Sequence, residues 1–158
     1  MVQSRKKINP ASRRQAQPHA RKKAMMYVIV PLLNESENLP RLIEGWERLR
    51  HRLSRYNIFF ILVDDGSADN TAQVARDQSR RLDLAVLSHD TNRGPGYAFG
   101  TGFEYLASRV EPDDIVLTME GDNTSNIELV PTMIERMERE KYDVVLASPY
   151  AHGGTLEN

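Results

Sequence analysis

Two short acidic stretches carry the residues whose type and spacing can do chemistry. In TMEGDNTSN, Glu120 and Asp122 flank Gly121 directly after the apolar run Ile115 to Met119. Residues two apart on an extended backbone project to the same side, and Gly121 between them leaves room for a ligand to approach the main chain. A hard divalent cation takes oxygen ligands and keeps several waters, so two carboxylates plus substrate phosphates suit Mg2+ or Mn2+. The competing use of this stretch is a helix cap, for which Asn123, Thr124 or Ser125 stands ready before Ile127. A cap needs only one of these polar residues, so the metal reading weighs more. The second stretch, Asp64 and Asp65, differs. Adjacent strand residues point to opposite faces, so these two cannot easily share one ion, and one should face the cleft while the other braces the turn. The alternative is that both merely cap the next helix and shape a turn, a common use of Asp.

The elements that must hold these groups can be read around them. Phe59 to Val63 is an uninterrupted, partly β-branched apolar run, as expected of a strand buried on both faces. It ends in Asp64 and Asp65; Gly66 permits a tight turn, and Ser67 or Asp69 can cap a helix starting near Asn70. Met25 to Pro31 reads as an earlier strand, followed by helix-start chemistry in Asn34-Glu35-Ser36-Glu37. Leu39, Leu42, Ile43, Trp46, Leu49 and Leu53 recur at three- and four-residue steps, which predicts an amphipathic helix with Trp46 in the core.

A polar helix is expected over Thr71 to Arg81 and a third strand over Leu82 to Ser88. The glycine-dense loop 92–98 then leads into a helix with Phe99, Phe103 and Leu106 on one buried face. Tested against GxGxxG, the segment from Gly94 has Phe99 where the third glycine or alanine belongs, so a dinucleotide site fits poorly. Ile115 to Met119 is a fourth strand, Ile127 to Glu138 a helix, and Tyr142 to Ser148 a fifth strand. Strands alternating with helices predict an α/β fold with a mostly parallel, doubly wound sheet, in which ligands bind at the carboxyl edge.

The 158 residues contain no cysteine, which excludes disulfides, thiolate metal sites and a thiol nucleophile, and permits a reducing compartment such as the cytoplasm. No apolar run approaches the roughly 20 residues that span a bilayer, and no signal peptide is visible. The formal net charge of -1 hides an asymmetry. Residues 1–24 carry 8 Lys and Arg and no acid, leaving 13 basic against 22 acidic residues in the rest. The arm lacks apolar periodicity and is expected to be disordered, either solvated or acting as an electrostatic tether to anionic lipid or nucleic acid. Residues 25–158 form the one expected domain.

Taken in order, VIVPLLNESENL, ILVDDGSADNTA, NRGPGYAFGTGF and TMEGDNTSNIELVP resemble the family 2 glycosyltransferases of GT-A fold, and among them the polyprenyl-phosphate sugar transferases of the dolichyl-phosphate mannose synthase type. The resemblance covers roughly Tyr27 to Gly154. It implies that Pro31, Leu33, Asn34 and Glu35 belong to the nucleotide-holding first motif and that Asp64 and Asp65 contact the base and shape the turn. It also puts Gly121 among the nucleotide-binding residues and makes Glu120 and Asp122 the metal ligands of the DxD segment. It implies a divalent metal, Mg2+ or Mn2+, a nucleotide-sugar donor, an inverting displacement, and an acceptor such as a lipid phosphate, which is already anionic and needs little general-base help. No individual catalytic residue follows from it. The arm is expected foremost to be a solvated tail, with contact to an anionic membrane at its cytoplasmic face as the alternative use, and no nucleic-acid partner is expected.

Three positions depart from the family pattern: Leu33 replaces a frequent aromatic residue, Glu120 the usual first Asp, and Pro149 a usual Arg. Family members also run well past this length, so the sheet is expected to be incomplete at its C-terminal end, with donor-binding residues present and acceptor-binding ones missing. The rival readings are a noncatalytic nucleotide-binding module of the same fold and a phosphoacceptor receiver domain. A receiver places its acidic pair after the first strand and a lysine after the last, whereas here the pair follows the second strand and no lysine follows Tyr142.

Overall fold

A computed structural model describes residues 23–148 and 150. The expected arm and Pro149 lie outside the described residues, apart from Lys23 and Ala24, which lead directly into the first strand.

The chain runs β1 (Met25–Leu32), α1 (Leu39–Arg52), β2 (Asn57–Asp64), α2 (Thr71–Asp77), β3 (Leu84–Ser88), α3 (Pro95–Leu106), β4 (Ile115–Thr118) and α4 (Val130–Glu140). Short 3-10 turns at Gln78–Arg80 and Ile127–Leu129 follow α2 and precede α4. The strands form one sheet in the order β3-β2-β1-β4, and every pairing is parallel. With helices between the strands, this is the doubly wound α/β arrangement that the alternation predicts.

Burial on both faces explains why β1 and β2 read as apolar runs. The side chains of β1 alternate: Met26, Val28, Val30 and Leu32 join one core with α1, α2 and α4, while Tyr27 and Ile29 join another with α3. In β2, Ile58, Phe60 and Leu62 take the first side, and Ile61 and Val63 the second. Trp46 is fully buried in the first core, its ring stacked on Phe60 at 5.0 Å. Each such side chain withdrawn from water contributes about 1.5–3 kcal/mol, so this stripe anchors α1 to the sheet.

Three expectations are corrected. Tyr142 to Ser148 adds no strand: among the described residues it stays outside the ladder, with Val144 and Leu146 69% and 84% exposed. On α3 the buried face is Ala98, Gly102 and Leu106, whereas Phe103 is exposed. The helix lies so near the sheet that a β-carbon on Gly102 would fall 2.4 Å from Ile29 Cγ2, so the packing face takes small residues and turns the large ring outward. Finally, α1 starts at Leu39 with no acid in its first turn. Asn34 to Glu37 instead form a loop before it, tied to the β2–α2 turn.

Candidate functional site

The strand order reverses between β1 and β4, because β2 and β3 lie on one side of β1 and β4 on the other. Loops leaving such a switch point diverge and open a crevice at the carboxyl ends. A cleft of about 510 Å3 lies there, lined among others by Pro31, Leu33, Glu35, Asp65, Glu120, Gly121 and Asp122. The fold thus collects residues from four separate loops into one place. Asn92, Pro95 and Phe99 complete its far wall; the glycine-dense loop marks that wall in the sequence without identifying these residues.

Asn34 and Asp64, also expected at the site, are not among the lining residues. They build the layer behind it. Asn34, with φ 56, accepts the Ala68 amide at 2.8 Å, and its own amide donates to Ser67 Oγ at 2.9 Å. Asp64 is buried and accepts the Ser67 amide at 3.2 Å. The Glu35 amide donates to Thr71 Oγ1 at 2.7 Å, and the Ser36 amide to Asp69 at 3.2 Å. Hydrogen bonds from Thr71 and Ser36 hold the Asp69 carboxyl far below the usual carboxylate range. The β1–α1 and β2–α2 loops are therefore one stitched unit. Asn70, which stands at the start of α2, makes no side-chain cap; Asp69 takes the Thr71 amide instead.

Asp65 is 3% exposed and turns toward α3, as alternation with Asp64 requires. Its oxygens accept the Arg93 amide at 3.0 and 3.1 Å, the Gly94 amide at 2.7 Å and His89 Nδ1 at 2.7 Å. Burial pushes its carboxyl up, but the bonds from His89, Arg93 and Gly94 outweigh that and leave it below its ordinary value. Gly66, at φ 73, makes the turn that follows; a β-carbon there would meet the Thr91 backbone at 2.5 Å. Both aspartates thus brace turns, and Asp65 lines the cleft as well.

On the opposite wall, the Thr124 hydroxyl lies 2.7 Å from Asp122 Oδ1 and 3.4 Å from Glu120 Oε2, so the two carboxylates do converge. Asp122 Oδ1 also accepts the Thr124 amide at 2.9 Å. The helix cap belongs to another residue: Asn126 accepts the Glu128 amide at 3.1 Å. Among the described hydrogen bonds, Asp122 Oδ2 and Glu120 Oε1 have no partner. No group of three or more His, Cys, Asp or Glu residues is placed to hold a metal among the described residues. Two carboxylates with unengaged oxygens still fit a Mg2+- or Mn2+-like ion that takes its remaining ligands from phosphate and water. Gly121 is explained differently from the sequence expectation. It is buried, and a β-carbon on it would fall 2.5 Å from the Pro31 carbonyl oxygen and 2.6 Å from Leu32 Cδ2, so glycine lets the ends of β1 and β4 close on each other.

A larger hollow of about 690 Å3 lies at the amino ends of β1 and β4. Two of its acids are occupied by the fold: Asp114 accepts the Met25 and Glu111 amides, and Glu138 accepts Tyr56 and Arg55.

A doubly wound parallel sheet with an acidic pair at its switch point is the arrangement expected of a GT-A type domain. Residues 27–158 match the family model described as glycosyl transferase family 2, and the chain belongs to that family. It is 30% identical over 131 residues to a dolichol-phosphate mannosyltransferase of Pyrococcus furiosus, covering 83% of this chain and 35% of that one. It is 36% identical over 122 residues to an undecaprenyl-phosphate 4-deoxy-4-formamido-L-arabinose transferase of Serratia proteamaculans, covering 75% and 35%. Among solved structures, TarS of S. aureus superposes with a TM-score of 0.62 at 24% identity, over 77% of this chain and 21% of that one. The mannosyltransferase PcManGT of Pyrobaculum calidifontis, in complex with GDP-Man and Mn2+, gives 0.61 at 16% identity, over 83% and 38%. These likenesses show the GT-A fold. The chain spans about a third of the length of the curated relatives it matches. No helix among the described residues is long and apolar enough to cross a membrane.

Proposed function

We propose that this chain is the donor-binding part of a glycosyltransferase, holding a nucleotide sugar and a divalent metal in the β1–β4 cleft for inverting transfer to a polyprenyl phosphate. The observation that carries this reading is electrostatic. Glu35, Asp65, Glu120 and Asp122 line the cleft, and among the described residues none that lines it is Lys, Arg or His. A diphosphate entering such a site meets like charge, so binding needs a cation brought along with it.

Glu120 and Asp122 are the residues that would hold that cation. When bound, the ion supplies charge stabilisation to the diphosphate as it leaves the anomeric carbon. The chain's own part is placement. Pro31, Leu33 and Glu35 form one wall and Asn92, Gly94 and Pro95 the other, with Asn34, Asp64 and Asp65 fixing the loops behind them. A lipid phosphate acceptor is ionised at neutral pH, so no residue has to remove its proton. The named relatives support that acceptor class, and the 8 Lys and Arg of residues 1–24 suit contact with an anionic membrane surface as part of the same proposal.

The test is calorimetric titration with UDP-, GDP- and dTDP-sugars, with Mn2+ and with EDTA. Binding of one of them only in the presence of the metal is expected; equal affinity in EDTA, or no binding at all, would refute the reading. A second reading, a module that binds donor without turnover, is favoured by the cleft having, among the described residues, no cation to receive an acceptor phosphate. Transfer to polyprenyl phosphate by this chain alone would exclude it.

A further inference from the structure

His89 continues β3 by one residue, its amide donating to the Asp64 carbonyl at 2.9 Å, and its ring enters the space between β2 and α3. There Nδ1 lies 2.7 Å from Asp65 Oδ1 and Nε2 lies 2.9 Å from Thr101 Oγ1, with the Tyr97 ring edge-on at 5.1 Å. The side chain is 11% exposed. Asp65 is an ionised acceptor with no proton to give, so Nδ1 is the donor, and the Thr101 hydroxyl can give or accept as Nε2 requires.

The consequence runs through Asp65. Its two oxygens already take bonds from Arg93, Gly94 and His89, which uses the lone pairs of a carboxylate. It is fully committed to protein contacts. What it fixes is the turn of Arg93 and Gly94, where Gly94 has φ 89 and α3 starts at the next residue, and Asn92, Gly94 and Pro95 form the far wall of the cleft. A carboxylate held by two loop amides alone can swing with the loop. One also held by a ring anchored on the second turn of α3 cannot.

We propose that His89 is a positioning residue, which clamps Asp65 to Thr101 and so sets the Asn92–Pro95 wall at the distance from β1 that a nucleotide requires. This rests on the reading of the cleft as a nucleotide site. It assigns work to a residue that does not itself line the cleft, and it makes Thr101 part of the same device.

The test uses His89→Leu, which removes both ring bonds, His89→Asn, whose amide nitrogen stands close to the Nδ1 position, and Thr101→Val, which cuts only the outer link. UDP, GDP and dTDP are titrated with Mn2+, and hydrogen exchange is followed at the Arg93 and Gly94 amides. His89→Leu should weaken nucleotide binding about tenfold, the effect of losing a hydrogen bond to a charged group, and speed exchange at both amides. His89→Asn should restore most of both. Thr101→Val, a mild change, should fall between wild type and His89→Leu. Wild-type affinity and exchange in His89→Leu, or no rescue by His89→Asn, would overturn the proposal. If the wild type bound none of UDP, GDP and dTDP, the nucleotide reading would fall, and exchange at the two amides would still decide the role of His89.

Discussion

Gly121 stands so close to Pro31 that a β-carbon would lie 2.5 Å from its carbonyl oxygen. That contact joins the two loops that form the cleft, and it is backbone against backbone, so no side-chain rotation can relieve a clash. Gly121→Ala is therefore expected to push the ends of β1 and β4 apart. The overpacking cost should be about 1–3 kcal/mol, read as a lower urea midpoint at unchanged slope. Nucleotide affinity should fall with it.

Asp65 gives the site a pH signature. Its carboxyl is held below its unfolded value of 3.8, against burial, by His89, Arg93 and Gly94. The ionised form is thus favoured by folding, and the stability it contributes is present above pH 3.8 and lost as pH falls through the lower folded value. Asp65→Asn should cost about 1–3 kcal/mol at pH 7, where the charged acceptor is lost. The gap between variant and wild type should begin to narrow as pH falls below 3.8, where the unfolded chain takes up the proton, and should close only below the lower folded value, where folded Asp65 is protonated too. Urea denaturation of both proteins at pH 7 and pH 3 checks the sign.

Asn34 tests the stitched loops. Its φ of 56 lies in the left-handed region, and its side chain accepts the Ala68 amide at 2.8 Å. Asn34→Gly loses only the bond, while Asn34→Ala loses the bond and adds left-handed strain of roughly 1–2 kcal/mol. The alanine variant should melt below the glycine variant, and both below wild type, by calorimetry.

Much of this was legible because burial writes itself into sequence. A strand covered on both faces must be apolar at every position, so β1 and β2 stood out, and acids directly after such a run mark the carboxyl edge where the cleft lies. Less legible were features set by partners distant in sequence. Tyr142 to Ser148 has strand composition, but pairing depends on an edge and a register that composition does not contain. Phe103 shares a helical spacing with Leu106, yet the close approach at Gly102 and Ile29 decides which side faces the sheet. Nothing local marks His89, whose partners lie 24 and 12 residues away.

The acidic pair yields the last prediction, an unequal one. Asp122 is held in place: Oδ1 accepts both the amide and the hydroxyl of Thr124, which aims the carboxylate and leaves Oδ2 without a protein partner among the described hydrogen bonds. Glu120 has one longer side chain and a single 3.4 Å contact to the same hydroxyl, so it loses more freedom when it binds an ion. A ligand already oriented binds with less ordering cost, so most of the metal affinity should depend on Asp122. Asp122→Ala should abolish Mn2+-dependent nucleotide binding, while Glu120→Ala should weaken it by about tenfold, near the loss of one charge-assisted contact. Asp122→Ala also removes the bonds that shape the turn, so Thr124→Val serves as the control: it deletes the hydroxyl and leaves both carboxylates. Calorimetric titration of Mn2+ at saturating nucleotide separates the three. Unchanged affinity in Asp122→Ala would remove the ion from this pair, and equal losses in Asp122→Ala and Thr124→Val would mean that the turn, not the ligand, had been measured.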